Sequence, residues 1–441
     1  MSTDDVKTIE PLSGPLSGSC VVPGDKSISH RAILFSAMAE GASRLSGVLD
    51  SSDVRASIDA VRKLGAEVSL EKQPDGSLSG GVVGWGAKGP KQPDGPIYCA
   101  NSGTTARLLM GILAPWDIEV EITGDESLSR RPMRRITAPL MKMGVSFDPA
   151  GAETLPIVER GTRDLRAISY DSPMASAQLK TAVLLAGVYA NGTTTVNEPS
   201  TSRNHTELML PEFGVETTAS ELSASVNGPA ALKSCEVVVP GDPSSAAFLI
   251  CAALLKKGSA IQIENVSLNT ARTGFFRTLE RMGADIEVHR TGSSGKEPFG
   301  VMSACYSGKL RGCEVPGSKI ASLVDEVPVL ALVAAFARGV TVFRDAGELR
   351  AKETDRLTAV RNGLAQLGVD SWIEGDDLFV EGNPDLEIPD GIVFDSLGDH
   401  RLAMTWSLVG LTGEKPVGIK NFSCVDVSYP DFLKDIERLV R

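Results

Sequence analysis

Apolar helical runs that follow a Pro-Gly turn recur along the chain. The pattern reads PGDKSISHRAILFSAMAEG at 23–41 and PGDPSSAAFLICAALLKKG at 240–258, with a fainter third copy, PGSKIASLVDEVPVLALVAAFARG, at 316–339. Each copy follows a short apolar, strand-like stretch and ends at a glycine, a common helix terminator. The pattern therefore predicts a repeated strand, turn and helix.

A second pattern places a glycine between a helix and a strand. It occurs five times at roughly regular intervals, as VRKLGAEV, LMKMGVSF, LPEFGVET, LERMGADI and LAQLGVDS. One such segment is common, but five in register predict a repeated βαβ-type unit with left-handed glycine caps. A last unit from IVFDSLGDHRLAMTWSLVGL onward makes six. Pro211 lies within the helix suggested by HTELMLPEFG, before the third of these glycines, and predicts a kink or an early helix end.

Two similar α/β domains of three units each follow from this count. A chain of 441 residues is also too long for one ordinary core. Because the PGD motif recurs at 240, we expect the chain to cross between domains near 232–242. The predicted first domain is 24–239, and the second is 1–23 plus 240–441.

Composition excludes several classes of protein. Hydrophobic residues make up 42% and charged residues 23%, which is typical of globular proteins, and the net charge of −12 disfavours nucleic acid or an anionic membrane as partner. No apolar run approaches the roughly 20 residues of a membrane span, and the acidic N-terminus is unlike a signal peptide. Seven dispersed cysteines and four histidines lack zinc-site spacing. We expect a cytoplasmic protein with reduced cysteines.

Candidate chemistry begins at the first repeat. In PGDKSISHR, Lys26 and Arg31 add two cations to a helix start that carries the hydroxyls of Ser27 and Ser29. Such a helix start can bind an anion, although a capped helix with solvated cations is the common alternative. The second copy, PGDPSSAAF, keeps the turn but lacks both cations. This difference favours a ligand-binding role for the charges of the first copy.

Other small polar turns also precede apolar helices in the first half. Locally, each is equally well explained as a helix cap or a solvated basic loop. Gly103 would allow close approach of a ligand to the backbone. The candidates here are Asn101, Gly103, Arg131, Ser176, Gln178, Ser202 and Arg203, whereas His205 is interpreted as structural.

The second half supplies acid–base candidates. Asp325 interrupts an apolar run, and Arg401 precedes an apolar helix. In AKETDRL, one or two helical turns would place Lys352 and Arg356 on one face with Glu353 beside them, as in an ordinary salt-bridged surface helix. If the helix starts converge, they form a site for a multiply anionic ligand such as a phosphorylated carboxylate.

The ordered motifs resemble a known family. PGDKSISHRA, NSGTTARLL, RRPM, SAQLKTAVLLAG, SRNHTE, DEVPVLA, KETDRL and GDHRLAM, spread from residue 22 to about 432, are similar to those of the 3-phosphoshikimate 1-carboxyvinyltransferase (EPSP synthase) family. The resemblance implies two domains of three βαβαββ units, an inside-out α/β barrel arrangement, with the active site in the cleft between the domains. Ala100, Leu108, Ala177 and Val427 depart from one branch and point to the class II branch, whereas Asn204, in place of an expected Asp, is unexplained.

The resemblance also implies a reaction: transfer of the enolpyruvyl group of phosphoenolpyruvate (PEP) to the 5-hydroxyl of shikimate 3-phosphate. It implies a monomer that needs no metal or organic cofactor. Asp325 would act as base, and Glu353 with Lys26 would exchange the methylene proton. The implied shikimate 3-phosphate residues are Lys26, Ser27, Arg31, Ser176, Gln178, Ser202, Arg203, Asp325 and Lys352. The implied PEP residues are Lys26, Asn101, Gly103, Arg131, Gln178, Arg356 and Arg401.

Three rival functions were weighed against this one. The sister enolpyruvyl transferase that acts on UDP-N-acetylglucosamine has a loop cysteine, but this chain has no cysteine between Cys99 and Cys235. A non-catalytic phosphometabolite sensor is disfavoured by the intact Lys26, Asp325 and Glu353. An enzyme of the RNA 3′-phosphate cyclase type is disfavoured by the acidic charge balance and the lack of a nucleotide loop.

Overall fold

The computed structural model describes residues 6–151 and 153–440. Its strands, in chain order, are β1 Val6–Ile9, β2 Ser17–Val21, β3 Ala42–Val48, β4 Glu67–Lys72, β5 Leu78–Val83, β6 Ile97–Tyr98, β7 Glu119–Thr123, β8 Ser146–Asp148, β9 Ile157–Arg160, β10 Ser169–Asp171, β11 Gly192–Asn197, β12 Thr217–Ala219, β13 Ser223–Gly228, β14 Glu236–Val238, β15 Ala260–Ser267, β16 Asp285–Ser294, β17 Glu297–Cys305, β18 Glu314–Val315, β19 Gly339–Phe343, β20 Ser371–Glu374, β21 Asp377–Gly382, β22 Val393–Asp395 and β23 Val417–Lys420.

The α-helices are α1 Lys26–Met38, α2 Ser52–Lys63, α3 Gly103–Leu113, α4 Glu126–Ser129, α5 Arg134–Met143, α6 Ala177–Gly187, α7 His205–Met209, α8 Pro243–Leu255, α9 Gly274–Arg281, α10 Gly317–Ile320, α11 Val327–Ala335, α12 Arg356–Gln366, α13 His400–Thr412 and α14 Phe432–Arg438. Short 3-10 helices cover Gly86–Lys88, Ala346–Ala351 and Phe422–Val427. Within the described ranges, no helix is both long enough and apolar enough to cross a membrane.

The chain divides into two compact units. Unit 1 contains Met1–Val22, Gly241–Gly292 and Pro298–Arg441, and unit 2 contains Pro23–Pro240 and Ser293–Glu297. The predicted domains place their boundaries close to these, with residues 1–5 and 441 of the second domain outside the described residues.

Unit 2 holds three four-stranded sheets, in the orders β14-β3-β5-β4, β6-β7-β9-β8 and β10-β11-β13-β12. In each order the first two strands are parallel, the second is antiparallel to the third, and the third is antiparallel to the fourth. In the second and third sheets a helix connects the parallel pair and at least one more helix follows it, which gives a βαβαββ unit. In the first sheet α1 leads into β3, and the parallel partner of β3, β14, comes from the far end of the unit. The repeated unit and the α/β class predicted from the sequence are confirmed.

Unit 1 repeats this plan with sheets β2-β15-β17-β16 and β18-β19-β21-β20, and with a three-stranded sheet, β1-β23-β22. Helices α8, α11 and α13 pack on one another. All residues of α11 and nearly all of α8 and α13 are buried. Helices that are apolar on every side must lie inside the protein, so the helices form the centre of this unit, beneath the sheets.

At each PGD motif the chain leaves one unit and enters the other. Strand β2 pairs with β15 of unit 1, but the helix that follows it, α1, belongs to unit 2. Strand β14 pairs with β3 of unit 2, but α8, which follows it, belongs to unit 1. At the first motif, a Cβ on Gly24 would lie 2.0 Å from the Gly47 carbonyl oxygen. Only glycine therefore allows this approach of the two backbones.

The five glycines predicted to cap helices all have left-handed φ angles. The residues are Gly65, Gly144, Gly214, Gly283 and Gly368, with φ between 76° and 112°. Each cap reverses the chain into the following strand, as the helix-glycine-strand pattern predicts. Helix α7 ends at Met209, two residues before Pro211, so the early helix end is also confirmed. The third repeat is broken into α10 and α11 rather than forming one helix.

Candidate active site

The start of α1 is capped by its own chain. The Asp25 carboxylate accepts from the Ile28 N–H at 2.8 Å, and Lys26 Nζ lies 3.2 Å from Asp53 Oδ2. Ser29 is buried and its hydroxyl accepts from the Leu49 N–H at 3.0 Å. Asp25 therefore caps this helix start and the Ser29 hydroxyl holds the fold, while the anion site at Lys26, Ser27 and Arg31 stays a prediction.

Arg31 is 3% exposed, so the alternative of a solvated cation is wrong. Its guanidinium donates to the Thr206 hydroxyl at 2.8 Å, the Thr181 hydroxyl at 2.7 Å and the Ser27 carbonyl at 3.1 Å. Burial, with a smaller effect from the positive charge of Arg203, lowers the pKa of Arg31 to about 10. The guanidinium is charged at neutral pH and fixed between α1, α6 and α7.

A neutral histidine connects the starts of three helices. His30 Nδ1 lies 2.8 Å from the Ser57 hydroxyl, which lies 2.7 Å from that of Thr105. Thr105 in turn donates to Ser102, the N-cap of α3, at 2.8 Å. Burial, helped by the nearby charges of Lys26 and Arg31, holds the pKa of His30 well below its usual range. This chain of hydrogen bonds fixes α1, α2 and α3 together.

Arg131 and Asn101 are brought together as predicted candidates. Arg131 Nη2 donates to Asn101 Oδ1 at 2.6 Å, and Asn101 Nδ2 donates to Asp125 at 2.8 Å. The neighbouring Arg130 and Arg134 instead pair with surface glutamates. Arg130 and Arg134 therefore serve surface ion pairs, whereas Arg131 points to the start of α3.

Gly103 makes room for a protein side chain. A Cβ at this position would lie 2.9 Å from Arg107 Nη1. That guanidinium donates to Gln178 Oε1 at 2.7 Å, and Gln178 Nε2 donates to the Thr104 hydroxyl at 3.0 Å. Arg107 is 4% exposed and was missed in the sequence, where it stands within the apolar run TTARLLMG. A cation inside an apolar helix was the available signal.

The loop before α7 and the start of α6 share a carboxylate. Glu198 accepts from the Ser176 N–H at 2.9 Å and from the Ser202 hydroxyl at 2.8 Å. Lys180 Nζ lies 2.8 Å from Glu198 and 2.7 Å from Glu207. Both serines were predicted from the sequence, whereas this buried lysine and the two glutamates were not. His205 is buried, with Nδ1 2.5 Å from Glu297, in agreement with its structural interpretation.

In unit 1, one guanidinium holds three carboxylates. Arg356 donates to Asp325 at 3.0 Å, to Glu353 at 2.6 Å and to Asp399 at 2.7 and 3.2 Å. Burial opposes its charge, but Asp399, Glu353 and Asp325 together outweigh burial and raise the pKa of Arg356 above its usual range. The starts of α11, α12 and α13 therefore converge on a fixed positive charge.

Two further cations lie near Asp325. Lys352 Nζ and Arg401 Nε are each 3.8 Å from its Oδ1. The expected helical face that joins Lys352 and Arg356 is wrong, because α12 begins only at Arg356 and Lys352 lies in the bend before it. The surface-helix interpretation fails too, since Arg356 is 1% exposed.

The second PGD motif contributes the acidic partner of an ion pair, whereas the first motif contributes the basic partner, Lys26. Arg272 donates to Asp242 at 2.8 Å and to the Ser244 hydroxyl at 2.9 Å. Asp242 caps α8 as Asp25 caps α1. In the first copy the cation, Lys26, lies on the first helix, whereas in the second copy it comes from the segment after β15. The cation absent from PGDPSS is thus replaced by a buried internal one.

Comparison with known proteins decides the family. The sequence profile of the EPSP synthase (3-phosphoshikimate 1-carboxyvinyltransferase) family matches residues 11–436. The 3-phosphoshikimate 1-carboxyvinyltransferase of Bacillus pumilus is 42% identical over 97% of this chain and 98% of that protein. That of Parvibaculum lavamentivorans is 44% identical over 96% of this chain and 94% of that protein. The chain belongs to the EPSP synthase family.

A solved structure agrees with this assignment. EPSP synthase from Acinetobacter baumannii superimposes with a TM-score of 0.86 at 38% identity, and 98% of each chain is covered. The enolpyruvyl transferase NikO from Streptomyces tendae shares the fold, with a TM-score of 0.77 at 20% identity over 98% of this chain and 97% of that chain. The EPSP synthase family and the enolpyruvyl transferase fold predicted from the ordered motifs are confirmed.

The two clusters of this EPSP synthase family member differ in chemistry. The cluster in unit 2 joins hydroxyls and amides to the cations Arg31, Arg107 and Arg131 and adds Lys26 beside Asp53, a composition suited to phosphate and carboxylate groups. The cluster in unit 1 joins carboxylates to Arg356, a composition suited to proton transfer beside a fixed charge. Among the residues that the structure describes, no group of three His, Cys, Asp or Glu side chains has a metal-binding arrangement.

Proposed function

We propose that this protein transfers the enolpyruvyl group of PEP to the 5-hydroxyl of shikimate 3-phosphate and releases phosphate. Membership of the EPSP synthase family supports the reaction. The observation that carries the assignment of roles is that one guanidinium, that of Arg356, binds both Asp325 and Glu353. A base and an acid must act together in this addition, and a shared partner fixes the distance between them.

Asp325 accepts the proton of the 5-hydroxyl as that oxygen attacks C2 of PEP, and Glu353 with Lys26 protonates the PEP methylene. The product of addition is a tetrahedral ketal that carries both substrates. Removal of a methyl proton by the same groups then expels phosphate and restores the enol double bond. Cations that are already in place stabilise the negative charge throughout without reorganisation.

The cluster in unit 2 binds most of the anionic groups. We assign shikimate 3-phosphate to Lys26, Ser27, Arg31, Ser176, Gln178, Ser202 and Arg203, with Asp325 and Lys352 from unit 1. We assign PEP to Lys26, Asn101, Gly103, Arg131 and Gln178, with Arg356 and Arg401 from unit 1. Four of the five N–H groups of Arg356 donate to carboxylates. The second Nη1 hydrogen is the one that we assign to PEP.

Phosphate release by the purified full chain tests this function. We expect release only when shikimate 3-phosphate and PEP are both present, and none when UDP-N-acetylglucosamine replaces the shikimate substrate. Silence with the correct pair, together with tight binding of either substrate, would establish the sensor alternative instead. Sedimentation in the same buffer tests the monomer, which stays a prediction, as does the cytoplasmic location.

Asp325→Asn tests the division of roles. The amide keeps an oxygen for Arg356 but cannot accept the hydroxyl proton, so turnover should fall by about a hundredfold or more with little change in the binding of either substrate. Asp377→Asn removes a carboxylate from a half-exposed ion pair with Arg344 and serves as the matched control. Weakened binding with unchanged turnover would make Asp325 a binding residue.

A further inference from the structure

The carboxylate of Glu198 contacts both serines that we assign to the shikimate phosphate. Its Oε1 accepts from the backbone N–H of Ser176, and its Oε2 accepts from the hydroxyl of Ser202. Ser176 is the N-cap of α6, whereas Ser202 lies in the segment between β11 and α7. One side chain therefore holds a helix start and a loop at a defined separation.

Glu198 is itself held in place from behind. Lys180 Nζ lies 2.8 Å from Glu198 Oε2, and the two side chains are only 5% and 3% exposed. Lys180 is on α6, where its backbone N–H donates to the Ser176 carbonyl at 2.9 Å. A buried carboxylate needs a paired cation, and this one is supplied from the helix that Ser176 begins. The four groups thus form one rigid assembly.

We propose that Glu198 is a positioning residue that sets Ser176 and Ser202 for the 3-phosphate of the shikimate substrate, an inference that rests on the proposed function. Glu198 does not bind the phosphate, because two anions repel, and Lys180 offsets its charge. In this structure the single O–H of Ser202 donates to Glu198. Rotation about the Cβ–Oγ bond turns that hydrogen to the phosphate and leaves the oxygen where Glu198 has set it in the free protein, while Lys180 and the Ser176 N–H keep Glu198 in place.

The experiment compares Glu198→Gln and Glu198→Ala with the unaltered full chain. A glutamine still accepts from the Ser176 N–H, but its amide nitrogen faces Lys180 and Ser202. For both variants we expect the KM and Kd of shikimate 3-phosphate to rise about ten- to a hundredfold, as for a lost hydrogen bond to a charged group. The kcat and the KM of PEP should stay within about threefold. The preference for shikimate 3-phosphate over shikimate, measured as a ratio of kcat/KM, should fall by the same factor as affinity.

Glu207→Gln is the matched control. Glu207 pairs with the same Lys180 at 2.7 Å, and its side chain is nearly as buried as that of Glu198, but among the described residues no hydrogen bond joins its carboxylate to either serine. An equal loss of phosphate preference in Glu207→Gln would overturn the proposal. So would a loss of affinity in Glu198→Gln that is the same for shikimate 3-phosphate and for shikimate. Tighter binding of shikimate 3-phosphate by Glu198→Ala would also overturn it, by making Glu198 a competitor of the phosphate.

Binding and turnover separate the two proposals. Calorimetric titration with shikimate 3-phosphate and with shikimate measures phosphate preference without PEP. A chain that binds shikimate 3-phosphate in a Glu198-dependent way but shows no turnover would contradict the proposed function and support the positioning role. Turnover in the unaltered chain with normal preference in Glu198→Ala would do the reverse.

Discussion

Arg356 donates through Nε to Asp399 Oδ2 at 2.7 Å, and the two side chains are 1% and 0% exposed. Asp399 also caps α13 by accepting from the Arg401 N–H at 2.9 Å. The Asp399 carboxylate therefore fixes the Arg356 guanidinium, which binds Asp325 and Glu353. The same carboxylate fixes the backbone of Arg401, another residue that we assign to substrate binding. Residues that make no proposed contact with substrate thus determine the geometry of this cluster.

Asp399→Asn should destabilise the protein strongly. The substitution weakens the buried hydrogen bonds between Asp399 and Arg356, while Asp325 and Glu353 still compensate the charge of Arg356, so we expect a loss of about 1.5–3 kcal/mol of the free energy of unfolding. Urea denaturation followed by circular dichroism measures this loss. Asp377→Asn, at the half-exposed pair with Arg344, is the control and should change stability less. Equal losses would show that burial does not decide the value of these pairs.

Lys26→Met should remove turnover without unfolding the protein. Lys26 pairs with the buried Asp53 at 3.2 Å, so the variant should lose some stability but stay folded, whereas loss of a proposed proton-transfer and binding group should cost about a hundredfold or more in kcat. Pro243 occupies the equivalent position of the second PGD motif, at the first turn of α8. Pro243→Ala should lower the unfolding temperature and leave kcat unchanged. Similar activity losses in both folded variants would refute divided roles for the two motifs.

Ala100→Gly should stabilise the protein slightly. Ala100 has φ +49°, a left-handed conformation that costs a residue with a Cβ about 1–2 kcal/mol, and glycine gives back about 0.5–1 kcal/mol in unfolded-chain entropy. The expected gain is about 0.5–1 kcal/mol by denaturant titration. Ala106→Gly, within α3, should instead lose about 1 kcal/mol. A loss at both positions would mean that Ala100 is not strained.

Glu159→Gln should stabilise the protein at neutral pH. Glu159, in β9, is 1% exposed, and neither carboxylate oxygen has a hydrogen-bond partner among the residues that the structure covers. Burial raises the pKa of Glu159 well above its usual range. A raised carboxyl pKa penalises the folded state above the unfolded pKa, and the penalty grows with pH up to the folded pKa. The gain from the substitution should therefore be largest near pH 8 and vanish near pH 4.

Unfolding midpoints of both proteins across that pH range provide the measurement. Glu67→Gln, at an exposed position of β4, is the control and should show no such pH dependence. A gain in stability at pH 4 as large as at pH 8 would exclude ionisation of Glu159 as the cause.

Local sequence pattern predicted the fold because the elements are locally encoded. Apolar runs between glycines became the central helices, and Gly65 and Gly368 took the left-handed angles that their positions implied. The departures also have local causes. The third repeat broke between Ile320 and Val327, and AKETDRL became a bend followed by a helix rather than one helix.

The site was predicted less completely because its contacts join distant parts of the chain. Arg107 reaches Gln178 across 71 positions, and Arg31 reaches Thr206 across 175. No local spacing reveals such partners. Lys180 was missed because a single lysine in an apolar helix has no local partner that indicates its role, whereas Ser176 was found as a helix cap. Cations within apolar helices are the signal to search for in such chains.

The chain crosses between the two units at each PGD motif, and these crossings constrain the order in which the units can fold during synthesis. Strand β1 pairs Val6 with Lys420, and β2 pairs Ser17 with Ala260. Neither strand can therefore pair during translation until these distant segments have been synthesised. Unit 2, apart from a short turn, is continuous from Pro23 to Pro240 and has all its strands once β14 emerges. During translation unit 2 should therefore fold first. Unit 1 should fold later, when its C-terminal strands pair with the N-terminal strands β1 and β2.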